Sequence, residues 1–153
     1  MKTNGHDLKQ FEYSDLSELD AMQTAMENGI EVPILDPTGK KSMGFSIRIA
    51  GPDSKLQKQI QRELTDERLN SDDPSPLKAQ DIEDRKLRSL ARLTLGWGEF
   101  KLDGGIYPFN EANAFSLYTR FPFISDQVEA KAGRRAAFLE VSKRDSADQS
   151  SVG

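Results

Sequence analysis

The sequence lacks cysteine altogether and contains a single histidine, His6, among its 153 residues. Without cysteine the chain has no disulfide, thiolate metal site, iron–sulfur cluster or cysteine nucleophile. A Ser-His-Asp triad or a multi-histidine metal centre would depend on His6, which lies in a polar stretch at the start of the chain. We therefore expect no metal and no cofactor, and nothing in the sequence indicates an oxidising compartment.

Long apolar runs and a large excess of one charge are also missing. No apolar run approaches the ~20 residues that a membrane-spanning helix needs, and the first residues lack the apolar core of a signal peptide. The formal net charge is only −4, with 30% charged and 36% hydrophobic residues. A mildly acidic chain gives no electrostatic reason to bind nucleic acid. The composition favours solvated helices or a surface that takes a protein partner, and we expect neither a membrane nor a nucleic acid as partner.

The clearest local pattern predicts a β-hairpin near the start of the chain. Apolar residues recur at every second position on both sides of a turn that contains Pro37 and Gly39, as is typical of strands with one buried face. Proline presets φ in a turn and glycine admits a positive φ. Pro33 lacks an N–H and cannot donate a hydrogen bond to a neighbouring strand. We therefore expect the first strand to lie at a sheet edge, or Pro33 to lie near the start of that strand. The alternating residues are Ile30, Val32, Ile34, Met43, Phe45, Ile47 and Ile49.

Apolar residues three or four positions apart predict helices in the rest of the chain. The helices are expected over 11–28, 54–69, 77–95, 111–121 and 124–141. The turn Asp103-Gly104-Gly105 lies between two short runs at 99–102 and 106–107 and predicts a second strand pair.

These elements predict an α+β fold in one domain, with an N-terminal β-hairpin, a second short strand pair and about five helices. The domain is expected over 11–141. Residues 1–10 form a polar N-terminal extension, and residues 142–153 lack apolar periodicity and are expected to be a disordered C-terminal tail.

No group of residues predicts catalysis. The numerous carboxylates alternate with lysine and arginine on the predicted helices, a pattern typical of a solvated face. The Asp103-Gly104-Gly105 turn lacks the further oxygen ligands of a calcium loop and the Gly-Lys-Ser/Thr of a nucleotide loop. We therefore predict no catalytic residue and expect that the protein is not an enzyme.

Opposite charges gather in the first and the last predicted helix. The two sets can attract each other within one chain or between copies, so a homo-oligomer stays open, although exposed ion pairs stabilise by only ~0–1 kcal/mol. The acidic residues are Glu12, Asp15, Glu18, Asp20 and Glu27, and the basic residues are Lys131, Arg134, Arg135, Lys143 and Arg144.

Aromatic residues are the most informative set, because eight of them lie between positions 97 and 123. Most are expected to pack in the core. In Phe121-Pro122-Phe123 the proline ends a helix, so two rings project from a bend and at least one can be presented to a partner. The residues predicted to bind a partner are Tyr107, Phe109, Phe121 and Phe123.

Several segments between residues 30 and 141 resemble, in their order and spacing, small proteins encoded in the tail modules of tailed bacteriophages and prophages. Some of these proteins are called tail assembly chaperones. The segments are Gly51-Pro52-Asp53-Ser54, Leu93-Thr94-Leu95-Gly96-Trp97, Pro108-Phe109-Asn110-Glu111-Ala112-Asn113, Leu117-Tyr118, Phe121-Pro122-Phe123-Ile124 and Gln127-Val128.

The resemblance implies a non-enzymatic tail assembly protein. Such a chaperone would bind the tape-measure protein in the host cytoplasm, keep its apolar stripes from aggregating, and yield when the tube protein polymerises around it. The alternative is a permanent structural component of the virion, in the tail, the neck or the head surface, with other virion subunits as partners. The resemblance supplies no active-site residue.

Overall fold

The computed structural model describes residues 15–73 and 75–152, with side chains as far as Asp145. In this part of the chain, six α-helices and two small antiparallel sheets form an α+β fold, which confirms the predicted class. The polar extension predicted for residues 1–10 lies outside the described residues. After a short 3₁₀ helix, Leu16–Leu19, the helices are α1 Asp20–Asn28, α2 Lys55–Leu69, α3 Ala79–Leu93, α4 Glu111–Arg120, α5 Pro122–Ala132 and α6 Arg135–Val152.

The predicted hairpin is confirmed by strands β1, Ile30–Leu35, and β2, Ser42–Ile49. Ile30 lies opposite Ile49 and Val32 opposite Ile47, so the apolar residues share one buried face. The Asp36 carboxylate accepts hydrogen bonds from the Thr38 N–H at 3.1 Å and the Thr38 hydroxyl at 2.6 Å, and these bonds order the turn.

A third strand, β3 at Thr94–Trp97, extends this sheet in the order β1-β2-β3. We expected a helix as far as residue 95, but α3 ends at Leu93. The chain then pairs with β2, where Thr94 lies opposite Ile49 and Trp97 opposite Ile47, with a bulge between them. Tertiary pairing therefore overrides the helical periodicity of the sequence over the last two residues.

The second strand pair is also confirmed. Strands β4, Lys101–Leu102, and β5, Gly105–Ile106, form a hairpin with Lys101 opposite Ile106. Asp103 and Gly104 occupy the turn with φ of 53° and 88°. A positive φ is tolerated by aspartate and favoured by glycine, which explains why this tripeptide reverses the chain.

The core lies between the buried face of the larger sheet and the helices. Helix α5 contacts β1 and β2, α3 contacts β3, and α4 packs against both α3 and α5. Helix α1 packs against α6. The largest fully buried side chains are Tyr118, Phe138, Met26, Ile34, Ile47, Ile49, Ile60 and Leu117.

One expectation about the C-terminal part is wrong. The single helix predicted over 124–141 is divided at Gly133, whose N–H donates to the Glu129 carbonyl at 3.2 Å at the end of α5. The break shifts the apolar face, so Ala137 and Phe138 are buried. In the segment 142–153, predicted as a disordered tail, α6 continues to Val152, and the buried Ser142 donates its hydroxyl to the Leu139 carbonyl at 2.7 Å.

Helices α2 and α3 contact each other, and each buries only part of its length. The buried residue of α2 is Ile60, and the buried residues of α3 lie in its second half, from Leu87 onward. Arg92 and Glu63 form an ion pair between the two helices. Ile82, which the helical spacing places with the core residues, is exposed because the first half of α3 contributes nothing to the core.

Candidate protein-binding surface

Five aromatic rings pack together beside β3, and we call them the aromatic cluster: Phe45, Trp97, Phe100, Tyr107 and Phe109. Phe45 stacks on Phe100 with ring centroids 4.3 Å apart. Trp97 lies at the centre, 5.4 Å from Phe100, 5.9 Å from Tyr107 and 4.9 Å from Phe109. Ring pairs at these distances contribute about 0.5–1.5 kcal/mol each beyond the burial of their area.

Hydrogen bonds hold the loop after β3 against Trp97. The Trp97 indole N–H donates to the Tyr107 carbonyl at 3.1 Å, and the Tyr107 N–H donates to the Phe100 carbonyl at 3.0 Å. The Tyr107 hydroxyl donates to the Asn113 carbonyl at 3.3 Å. The loop is therefore tied both to β3 and to the first turn of α4.

The start of α4 is capped by side chains. The Asn110 side chain accepts from the Asn113 N–H at 2.7 Å, and the Asn113 amide donates to the Pro108 carbonyl at 2.8 Å. Side-chain caps of this kind typically stabilise a helix by ~1 kcal/mol. They also hold the backbone on both sides of Phe109 in place, so this ring is presented from a fixed position.

Three apolar side chains in the segments that carry the cluster remain open to solvent, and we call them the outer rim: Met43, Ile106 and Phe109. Their exposed fractions are 45%, 58% and 38%. Phe109 contacts the Trp97 ring, Ile106 precedes Tyr107, and Met43 precedes Phe45 by two residues in β2. An exposed ring that rests on a packed aromatic base, as Phe109 does, is typical of a protein-binding surface.

The four residues predicted to bind a partner fall into two separate groups. Tyr107 and Phe109 belong to the aromatic cluster. Phe121 and Phe123 contact each other at the α4–α5 junction, with centroids 6.1 Å apart, and both rings are half-buried against the core. Pro122 is the first residue of α5, so the bend is a tight helix junction in which both rings pack inward.

Sequence reasoning missed Met43 and Ile106 as members of the surface. The alternating pattern of β2 predicts Met43 on its buried face, but β3 pairs only with the later half of β2. Ile106 lies in the two-residue strand β5, for which no periodicity can be read. The position of Met43 at the end of β2, next to the turn, could have indicated that its side chain is exposed.

An ion pair fastens the β4–β5 turn to the end of α4. Arg120 donates to the Asp103 carboxylate through two nitrogens, at 2.8 and 3.0 Å. This bidentate bond lowers the pKa of the Asp103 carboxyl and raises the pKa of Arg120. Both side chains are more than half exposed, so the pair orients the turn more than it stabilises the fold.

A buried pair of hydroxyl groups, on Tyr118 and Thr94, has a structural role. The Tyr118 hydroxyl lies 2.7 Å from the Thr94 hydroxyl, which donates to the Leu90 carbonyl at 2.8 Å. Burial raises the pKa of the Tyr118 hydroxyl well above its ordinary value. Since both groups have partners, this chain of hydrogen bonds joins α4, β3 and α3.

Helices α1 and α6, which carry part of the two charge clusters predicted at the ends of the chain, pack against each other within one molecule. Glu12, one of the predicted acids, lies outside the described residues. An open groove of about 880 Å³ lies between α1, the edge of β1 and α6, and both signs of charge line it. Arg135 at the start of α6 donates to Asp53 before α2, at 2.6 and 2.8 Å, and its hydrogen bonds lower the pKa of the Asp53 carboxyl.

Comparison of the chain with protein-family models, with curated proteins and with solved structures finds no match. Within residues 15–73 and 75–145, whose side chains the structure describes, no three histidine or carboxylate side chains come together as a metal site would require. Over the same residues, no helix has both the length and the apolar character that crossing a membrane requires.

Proposed function

We propose that the protein is a non-enzymatic assembly factor of a phage tail, a chaperone that binds the tape-measure protein through the outer rim of the aromatic cluster. The observation that carries the binding part is the exposure of Phe109 on a hydrogen-bonded aromatic base, with Met43 and Ile106 exposed in the strands that carry or precede its other rings. The assignment to phage tails rests on the resemblance of the sequence.

The segments that carry the resemblance also build this surface. Leu93-Thr94-Leu95-Gly96-Trp97 contains β3 and the central ring of the cluster, and residues 108–113 contain Phe109 and the cap of α4. Two of the resembling segments therefore contribute to the presentation of the rim. This overlap supports a binding role for the same surface in the tail-module proteins that the sequence resembles.

A small rim suits a reversible role. Three exposed apolar side chains give a contact well below the ~1,200–2,000 Å² that a stable interface buries. Several copies can bind along one long partner and cover it, and because each contact is small, each copy can leave singly. A chaperone that covers a helical tape measure and then yields to the tube protein needs both properties. The proposed location is the host cytoplasm during assembly.

The experiment is co-expression of the tagged protein with the tape-measure protein of the same phage, with Phe109→Ser as the test variant. We expect Phe109→Ser to keep its circular dichroism spectrum and to retain at least tenfold less tape-measure protein on the affinity resin. Loss of one anchoring ring from an interface costs about 2–4 kcal/mol, and about 1.4 kcal/mol corresponds to tenfold in affinity, so a tenfold loss is a conservative value.

Leu69→Ser is the matched control, because Leu69 is 76% exposed at the far end of α2. Both variants replace an exposed apolar side chain with serine, and they differ in where that side chain lies. Equal capture by Phe109→Ser, Leu69→Ser and the unmodified protein contradicts the proposed surface. Detection of the protein at fixed stoichiometry in purified virions would instead support the permanent structural role.

A further inference from the structure

The edge of β1 is only partly covered. At Leu35 the Gln127 side chain of α5 makes both backbone hydrogen bonds, at 2.8 and 2.9 Å. Lys131, one turn further along α5, lines the open groove between α1, β1 and α6. Glu31 and Pro33 of β1 line the same groove. The part of β1 that precedes Leu35 therefore borders the groove.

The pairing of the sheet determines which backbone groups of β1 point out of it. The Ser46 carbonyl accepts from the Gly98 N–H at 3.0 Å, so the backbone groups of Ser46 face β3 and those of its neighbour Ile47 face β1. Val32 lies opposite Ile47 and takes up its hydrogen bonds. Glu31, next to Val32, therefore directs its N–H and its C=O away from β2.

Pro33 fits the same arrangement. It lies opposite Ser46, so its backbone also points away from β2, where the missing N–H leaves no ladder bond unmade. Within residues 15–73 and 75–152, the N–H and C=O of Glu31 and the C=O of Pro33 have no hydrogen-bond partner. Unpaired groups of this kind are the template on which a further extended segment joins a sheet.

The groove admits one chain segment and excludes the edge of a second folded sheet. Its other walls are α1, with Ala21 and Thr24, and α6, with Val141 and Arg144. Its volume of about 880 Å³ falls within the ~300–1,000 Å³ of sites that hold a single small ligand. A strand of another folded domain would bring its neighbouring strands or helices into these walls. We therefore expect an extended segment that belongs to no sheet of its own.

The chain's own N-terminal segment, residues 1–14, is long enough to occupy this groove. Asp15 has φ −148° and ψ 133°, so the helix predicted over 11–28 is interrupted at this extended residue. The groove begins close by in the sequence, because Ala21 of α1 already lines it. Fourteen extended residues span up to about 46–50 Å. Helix α1, with 9 residues, is only about 14 Å long.

The composition of this segment suits an added strand. Phe11 and Tyr13 alternate with Gln10 and Glu12, as is typical of a strand with one apolar face. The groove offers apolar side chains to that face, among them Val141. Because the segment is tethered beside the groove, its effective concentration there is in the ~mM range that is typical of short linkers. An untethered peptide has to compete with it.

We propose that residues 8–13 join the edge of β1 as a further strand of the larger sheet, in the groove between α1 and α6. Their backbone pairs with the N–H and C=O of Glu31 and with the C=O of Pro33. Phe11 and Tyr13 lie against the apolar side chains of the groove. The inference does not depend on the proposed function, and it closes the part of the edge that Gln127 leaves uncovered.

The test follows amide hydrogen exchange of the full-length protein by NMR. We expect the Glu31 N–H to be protected in the unmodified chain. It should exchange about tenfold faster when Phe11→Ser and Tyr13→Ser are combined, because the strand that binds it is weakened. The Val32 N–H, which bonds to β2, should keep its exchange rate and so show that the sheet is intact.

The matched control combines Leu69→Ser and Ile82→Ser. It also removes two apolar side chains, both exposed and neither in the groove. The Glu31 N–H should stay protected in this control. The inference is overturned if the Glu31 N–H is unprotected in the unmodified chain, or if its protection survives the loss of Phe11 and Tyr13.

A spin label identifies the molecule that supplies the strand. The chain has no cysteine, so Gln10→Cys creates a single labelling site. The label should broaden the amide signals of Lys131 and Val141, and a label at Glu67→Cys on α2 should leave them sharp. Sharp signals with the label at position 10 would overturn the docking.

A mixture of spin-labelled chains with isotopically labelled chains that lack the spin label separates one copy from two. The Lys131 and Val141 signals should stay sharp in this mixture, because each groove holds the segment of its own chain. Broadening in the mixture would mean that a second copy supplies the strand, and it would overturn the assignment to the chain's own segment.

Discussion

At the scale of single residues, Tyr118 shows how one buried polar side chain joins three elements. Its ring is fully buried on α4, and its hydroxyl meets Thr94 of β3, which in turn donates to Leu90 of α3. Trp97, the central ring of the cluster, lies three residues after Thr94. The bond network therefore sets where β3 begins, and with it the position of the cluster.

We predict that Tyr118→Phe lowers the free energy of unfolding by about 1 kcal/mol, because it removes one buried hydrogen bond while Thr94 keeps Leu90 as acceptor. Urea denaturation followed by Trp97 emission measures the change. Tyr107→Phe serves as comparison, because its hydroxyl bond at 3.3 Å is longer and part-buried, and a smaller loss is expected. A Tyr118→Phe protein as stable as the unmodified chain would show that the hydroxyl contributes no net stability.

At the scale of secondary structure, the β1 edge of the larger sheet is protected. It is blocked at Leu35 by the Gln127 amide, which makes both hydrogen bonds that a neighbouring strand would make. Pro33 lies two residues earlier on the same strand. Exposed strand edges promote association between chains, and natural proteins commonly block them in such ways.

We predict that Gln127→Leu costs about 1–3 kcal/mol of stability, because the Leu35 N–H and carbonyl lose their partners in a half-buried position. The variant should also associate with itself at high concentration, as measured by light scattering. Gln61→Leu on the exposed face of α2 is the control, and a surface change there should stay within about 0.5 kcal/mol. If both variants remain equally stable and monomeric, Gln127 does not protect the edge.

The elements that could be predicted from the sequence are those with local signals. The alternation from Ile30 to Ile49 predicts the first hairpin, and the Asp103-Gly104-Gly105 turn predicts the second. Strand β3 could not be predicted, because Thr94 and Leu95 also continue the spacing of the preceding helix. The break at Gly133 could not be predicted either, because a single glycine is tolerated in many helices.

The candidate site could be predicted only in part, for a related reason. Tyr107 and Phe109 stand out because they lie in a segment rich in aromatic residues. Nothing local in the sequence indicates that Phe121 and Phe123 pack inward at the α4–α5 junction. The exposure of Met43 depends on where β3 stops pairing with β2. The pairing of β2 with β3 joins segments about 50 residues apart in the chain, so local sequence does not indicate where it stops.

At the scale of the whole molecule, the exposed large apolar side chains are unevenly distributed. Leu16, Leu69 and Ile82 lie singly on helical segments, as is common on protein surfaces, and Leu95 lies on β3. The three rim residues instead lie in the segments that carry the aromatic cluster, and Phe109 contacts its central ring. An exposed ring on a hydrogen-bonded aromatic base is therefore the basis for assigning the outer rim a binding role.

The most direct test of this role is the Trp97 emission of the full-length protein during titration with the purified tape-measure protein from which tryptophan has been removed. We expect a blue shift that saturates, because the partner covers the half-buried indole, and we expect Phe109→Ser to lose it while Leu69→Ser keeps it. Binding of the tape-measure protein with no change in Trp97 emission would place the contact elsewhere and contradict the central claim.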